Sequence, residues 1–219
     1  MRAEGRAPTI TVEPEDRFYR LYSKFHPSSS GGPPKAGRAI WFCRAGDCRF
    51  DLNKIEQGGT YYLSESPEGA YLEVFGRFKG KAISEENLNS RKLAQVSIAA
   101  PEMQVFNMTS SANFTECPQE VRHETGPPYP LSQDFAVRVF ETQYLDGIWY
   151  WSVKDPPVTW LNLAVFSEHA SREFEEREDL NEKNFQIHRD GEIPRYLAYE
   201  MQEKYGIPFT RGARTYGKR

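Results

Sequence analysis

No sign of charge dominates this sequence. Its 28 Lys and Arg nearly balance 31 Asp and Glu, leaving a net charge of −3 over 219 residues. A chain so balanced projects no general basic field, so direct binding to nucleic acid or to an anionic membrane surface is not expected. Long apolar runs are missing as well. Every run is far too short to cross a bilayer as a helix, and Met1–Arg6 lacks the apolar core of a signal peptide. Cysteine is scarce, with only Cys43, Cys48 and Cys117. An odd, small number does not make a secreted disulfide scaffold. Cys43 and Cys48 are close, but no second pair and no paired histidine completes a zinc site, so free thiols in a reducing cytoplasm and no metal are expected. His26, His123, His169 and His188 show no metal spacing either. A Walker loop and a G-x-G-x-x-G turn are both absent, which excludes the P-loop and Rossmann nucleotide binders by motif.

Aromatic residues are plentiful, at 14% of the chain, against 38% hydrophobic and 27% charged residues overall. This composition fits a soluble globular protein whose core leans on Phe, Tyr and Trp. Residues 1–15 read as an irregular arm. Arg17–Tyr22, Ile40–Cys43, Thr60–Leu63, Leu93–Ile98, Met103–Asn107, Ile148–Ser152 and Leu161–Phe166 read as short strands. Pro27–Pro34 is a Ser-Gly-Pro loop by composition. Ser66 and Pro67 supply a cap and a first-turn proline for a helix that runs to about Phe78 and ends near Gly80. Further helices fit Ser84–Leu88, Ser132–Tyr144, Glu168–Lys183 and Ile193–Tyr205. Short strands mixed with few helices make an α+β fold. The composition changes after Phe166, which sets residues 167–219 apart as a charged helical extension with a basic tail.

Several residues could carry chemistry. Glu73 shares a helix face with Ala70, Val74 and Arg77. Flanked by Leu72 and Val74, its carboxylate is either an ordinary solvated helix residue or a half-buried group in need of a partner. Strand alternation points only one of Tyr61 and Tyr62 toward any pocket on a given face. Arg20, between Tyr19 and Leu21, is costly there unless it meets an anion. Arg49, beside Phe50, could join it in gripping a pyrophosphate, or could pair with the neighbouring aspartates. Ser152 ends a very aromatic strand with no histidine near it in sequence, so it reads as a positioning hydroxyl rather than a nucleophile.

Taken in order, Phe18–Tyr22, Cys48–Asp51, Thr60–Ser64 running into Pro67–Phe75, and Asp146–Ser152 resemble the RES domain, which is named for its arginine, glutamate and serine. The resemblance covers residues 16–166. It implies an ADP-ribosyltransferase-like mixed sheet core with flanking helices, acting on NAD as substrate. It also implies Arg20, Tyr62, Glu73 and Ser152 as the catalytic set, with Arg20, Arg49, Tyr62 and Ser152 as NAD contacts. Many members are toxins of bacterial toxin–antitoxin pairs held in check by an Xre-like antitoxin; some degrade NAD, and some modify a protein with ADP-ribose. The chain departs from the family's pattern where Val153-Lys154 follows the serine in place of an arginine, in the Ser-Gly-Pro loop between Arg20 and Arg49, and in the segment 167–219. The expectation is therefore a cytoplasmic toxin that cleaves the nicotinamide–ribose bond of NAD by hydrolysis or phosphorolysis, restrained by an antitoxin or another inhibitor. ADP-ribose transfer to a protein, a non-catalytic interaction module built on the C-terminal segment, and assembly into a homo-oligomer stay open.

Overall fold

The computed structural model describes residues 9–26, 35–43, 45–52, 58–76, 81–99, 102–111, 116–142, 145–154, 159–167 and 184–210. Its strands are β1 (Thr9–Val12), β2 (Arg17–Ser23), β3 (Phe25–His26), β4 (Lys35–Ala36), β5 (Gly59–Ser64), β6 (Ile83–Ser84), β7 (Arg91–Ile98), β8 (Met103–Asn107), β9 (Gly147–Trp151), β10 (Leu161–Ser167), β11 (Phe185–Glu192) and β12 (Phe209–Thr210). The helices are α1 (Pro67–Phe75), α2 (Glu85–Asn89), α3 (Gln119–His123), α4 (Pro130–Glu141) and α5 (Arg195–Tyr205). Eight strands form one sheet in the order β1-β8-β9-β10-β5-β2-β7-β11. The sheet is mixed, because β8 and β9 run parallel while the other neighbours run antiparallel.

Both faces of the sheet are covered, and the sequence of its central strands reflects this. In β10, Leu163 and Val165 pack on one face with Phe18, Tyr61, Val96 and Val105. Ala164 and Phe166 pack on the other with Phe135, Val139 and Phe140 of α4. A strand buried on both sides has no solvent face to mark with polar residues, so it reads as a continuous apolar run. A third cluster gathers Tyr71, Leu72 and Phe75 of α1 with Leu88, Leu197 and Met201 from α2 and α5.

The N-terminus of α1 forms as its sequence predicts. Ser66 is extended, and its hydroxyl accepts from the amide of Gly69 at 2.9 Å, with Pro67 opening the helix. The helix is shorter than expected, ending at Phe75 with Gly76 as its C-cap; the expected continuation to Gly80, Arg77 included, lies outside the described residues. Gly69 matters by closeness rather than by backbone freedom. A Cβ there would stand 2.1 Å from Ser64 Oγ and displace that hydroxyl, so glycine lets α1 turn tightly off β5.

Other expectations need correction. Part of the irregular arm is edge strand β1, which pairs with β8 from Thr9 to Val12. Ile40–Cys43 makes no strand, only an isolated bridge between Cys43 and Thr60. The segment set apart as an extension contributes β11, which pairs with β7, and α5, which packs in the α1 cluster. Its expected helix over Glu168–Lys183, the Pro27–Pro34 loop and the tail 211–219 lie outside the described residues. Among the described residues, no helix is long and apolar enough to cross a membrane.

Two measurements test this reading of the fold. Ser66→Ala removes the α1 cap and should lower stability by about 1 kcal/mol in urea titration. Burial pushes the phenols of Tyr61 and Tyr71 up to about 12. The folded chain thus holds protons that the unfolded chain releases near pH 10. Stability from these groups is complete below about pH 10 and declines as pH rises toward 12, so the urea midpoint should fall across that window and stay flat just below it.

Candidate functional site

The site forms where the end of α1 meets the ends of β9 and β10. Asn162 of β10 lies opposite Ser64 of β5 and Tyr150 of β9 in register. Ser152 extends the ladder one residue past β9, its amide donating to the Trp160 carbonyl at 3.0 Å. Both side chains are buried and point at the carboxylate of Glu73 on α1. Ser152 Oγ donates to Glu73 Oε1 at 2.7 Å, and Asn162 Nδ2 donates to the same oxygen at 2.8 Å. Lys154, in the turn after β9, places its ammonium 3.2 Å from Oε2 and also donates to the Glu73 backbone carbonyl. Gly76 makes room for this lysine, since a Cβ there would sit 3.2 Å from Lys154 Cβ. Both carboxylate oxygens are thereby fixed by donors, a charge-assisted arrangement that holds the group in a single orientation. Glu73 remains 30% exposed, so a ligand can still reach it.

The other glutamates of the segment are used differently. Glu65 accepts from the Leu161 amide through Oε1 at 3.1 Å and donates its own amide to the Leu161 carbonyl, stitching β5 to β10. Glu68 sits in the first turn of α1, where a carboxylate favours the helix N-terminus.

Tyr61 and Tyr62 divide as alternation requires. Tyr61 is fully buried in the cluster with Phe18 and donates to the Ala39 carbonyl at 3.1 Å. Tyr62 faces the other side, where its hydroxyl donates to Asp51 Oδ1 at 2.9 Å and accepts from the Phe50 amide at 2.9 Å. Burial, reinforced by Asp51, pushes its phenol far above the ordinary value. Tyr150 is likewise raised by burial, with Glu73 adding to the effect.

The two arginines have unequal freedom. Arg49 is 7% exposed and stacks on Phe50 and Tyr150, with its carbon 4.8 Å and 5.7 Å from the ring centroids. Its Nη2 donates to the carbonyls of Val121 and Arg122 at 2.5 and 2.8 Å, and Nε donates to Ser132 Oγ at 3.3 Å. Only Nη1 has no partner among the described residues. Glu73 acts on its charge, while burial lowers its pKa. Arg20 is half-buried and lies over the Tyr61 ring, 4.7 Å from its centroid, donating to the Trp41 carbonyl at 2.9 Å. It has no carboxylate partner among the described residues, and burial lowers its pKa too. The Cys48 thiol acts electrostatically on Arg20, Tyr62 and Tyr150 and is itself acted on by Lys154.

Glu73 and Ser152 are thus hydrogen-bonded to each other, Arg49 feels the charge of Glu73, and Arg20 and Tyr62 bond to other partners, the Trp41 carbonyl and Asp51. Asn162 went unnoticed in the sequence. Its signal was a lone amide within Leu161–Phe166, a strand otherwise apolar and therefore obliged to give that amide a partner. Lys154 stood out only as a departure from a pattern. Cys43, Cys48 and Asp51 offer ligand atoms within 4.8 Å of one another. A groove of about 530 Å³ between α3 and α4 is lined by none of the residues that hold Glu73.

The chain is similar in structure to a chain of the crystal structure of the M. tuberculosis MbcT–MbcA toxin–antitoxin complex, with a TM-score of 0.53, 15% identity, and coverage of 89% of this chain and 92% of that one. At that identity the likeness is one of fold. No curated protein matches the sequence. The family model of the RES domain matches residues 17–188, a span that holds every residue of the site just described. The chain belongs to the RES domain family.

Proposed function

We propose that this protein is the toxin of a toxin–antitoxin pair and that it cleaves the nicotinamide–ribose bond of NAD. The observation that carries the reading is the carboxylate of Glu73, held by Ser152, Asn162 and Lys154 yet open to a ligand. Breaking the bond to the pyridinium nitrogen sends the bonding pair to nicotinamide, which leaves neutral, and moves the positive charge onto the ribose as an oxocarbenium-like cation. A carboxylate that is already ionised and already oriented stabilises that charge without reorganising at the moment of reaction. Three donors hold the Glu73 carboxylate in one orientation.

The remaining residues take roles that follow from their freedom. Arg20 has most of its guanidinium fork free of carboxylates among the described residues, which suits a pyrophosphate. Arg49 spends two of its three nitrogens on protein oxygens, so it contributes Nη1 alone and not a forked grip. Tyr62, tied to Asp51, is a rigid wall against which ribose or nicotinamide packs. Ser152 and Asn162 are positioning residues acting through Glu73. The likeness in fold to a chain of a toxin–antitoxin complex supports a cognate antitoxin as partner.

Induced expression in a bacterial host tests the reading. The wild-type chain should deplete cellular NAD and stop growth, and Glu73→Gln should do neither while accumulating to the same level. Growth arrest with NAD intact would refute it. Asn162→Ala removes a hydrogen bond to a charged group, worth about 1.5–3 kcal/mol, so purified variant should release nicotinamide roughly tenfold or more slowly. NAD labelled in the adenylate part identifies the acceptor: label in free ADP-ribose indicates water, label in its phosphorylated form indicates phosphate, and label on protein indicates transfer.

A further inference from the structure

We propose that Cys43, Cys48 and Asp51 form a binding site for a borderline-soft divalent cation of the zinc class, separate from Glu73. Counting cysteines and histidines in the sequence excluded such a site, because the third ligand is a carboxylate. The ligand atoms lie within 4.8 Å of one another, and Cys43 Sγ is 3.9 Å from Asp51 Oδ2. Zinc bonds of about 2.3 Å to sulfur and about 2.1 Å to oxygen, at tetrahedral angles, put ligands about 3.6–3.8 Å apart. The observed spacing needs only a few tenths of an ångström of closure on Cys43 and Asp51. At 3.9 Å the thiol–carboxylate contact is a weak hydrogen bond, so the arrangement is not held together by that bond.

Each ligand is set by backbone and by a second layer of bonds. Cys43 is pinned to Thr60 of β5 by two backbone hydrogen bonds of 2.8 and 2.9 Å. Cys48 and Asp51 close a turn in which the Asp51 amide donates to the Cys48 carbonyl at 3.2 Å and the Cys48 amide donates to Asp51 Oδ2 at 2.9 Å. Tyr62 holds the other carboxylate oxygen, Oδ1, at 2.9 Å. Metal-ligating carboxylates are commonly oriented by such outer partners. The buried carboxylate of Asp51 is therefore aimed at two thiols before any cation arrives.

The charge balance is favourable. Binding forms two metal–sulfur bonds and one metal–oxygen bond while the two thiol protons leave to solvent, so one dication replaces two protons and the net charge of the cluster is unchanged. Three protein ligands leave a fourth tetrahedral position for water. The bound cation would clamp the loop that carries Arg49, which lies between Cys48 and Asp51.

Cobalt(II), a spectroscopic stand-in for zinc, tests the site on the 219-residue chain kept reduced with a phosphine. Wild type should develop a thiolate-to-cobalt charge-transfer band with visible bands of four-coordinate intensity, saturating at one equivalent and erased by zinc. Cys43→Ser and Cys48→Ser should lose the charge-transfer band, and Cys117→Ser should keep it. Because a serine variant could fold poorly, alkylation of the wild type gives an independent reading: zinc should slow labelling of Cys43 and Cys48 at least tenfold and leave Cys117 unchanged. A wild type with no charge-transfer band, a band that survives both serine variants, or alkylation rates indifferent to zinc would overturn the proposal.

Discussion

A carboxylate near the end of a short helix, held by donors from a second strand and from the turn after a third, is the constraint around which this molecule is organised. Glu73 can receive Ser152, Asn162 and Lys154 only if α1 lies tight against the ends of β9 and β10. That closeness is made by small things: Gly69 against Ser64, Gly76 against the stem of Lys154, and the Ser66 cap that starts the helix at the right residue. The apolar cluster beneath, with Leu72 and Phe75 fully or nearly fully buried, anchors the same helix. Each such side chain contributes about 1.5–3 kcal/mol by burial, comparable to a single hydrogen bond to the carboxylate, and several of them act on the same helix. Packing of α1 sets the position of Glu73, and the polar donors set its direction.

The two arginines show how burial sorts residues of one type into different work. Arg49 lies under Tyr150 and is consumed by the Val121 and Arg122 carbonyls, so it ties the α3 region to the loop before β5. Arg20 rests on the flat face of Tyr61 with fewer commitments. Stacking on an aromatic ring is a favourable way to hold a guanidinium without spending its donors. A ligand phosphate would meet the part of the Arg20 fork not spent on the Trp41 carbonyl and a single nitrogen of Arg49.

Much of this was legible in the sequence, for identifiable reasons. Ser66-Pro67 announced the start of α1 because cap chemistry is local, and Leu161–Phe166 announced a strand because it is a short apolar run. The order of Arg20, Tyr62, Glu73 and Ser152 along the chain carried the family. What escaped was non-local. Strand β11 reads Phe185–Glu192 with mostly exposed polar residues, and its place is decided by pairing with β7, which local propensity cannot see. Thr9–Val12 became a strand for the same reason, by adding to the open edge of β8. The partners of Arg49 were sought among nearby aspartates, whereas they are backbone carbonyls more than seventy positions away in sequence.

The central claim is that Glu73 is the charge around which NAD is broken, and it is tested most directly by incubating the purified, folded chain with NAD and following free nicotinamide. The account predicts nicotinamide appearing in step with the loss of NAD, and a rate on the order of 100-fold or more lower for Glu73→Gln at unchanged stability. A wild-type protein that leaves NAD intact, or a Glu73→Gln variant that cleaves it as fast, would contradict the account.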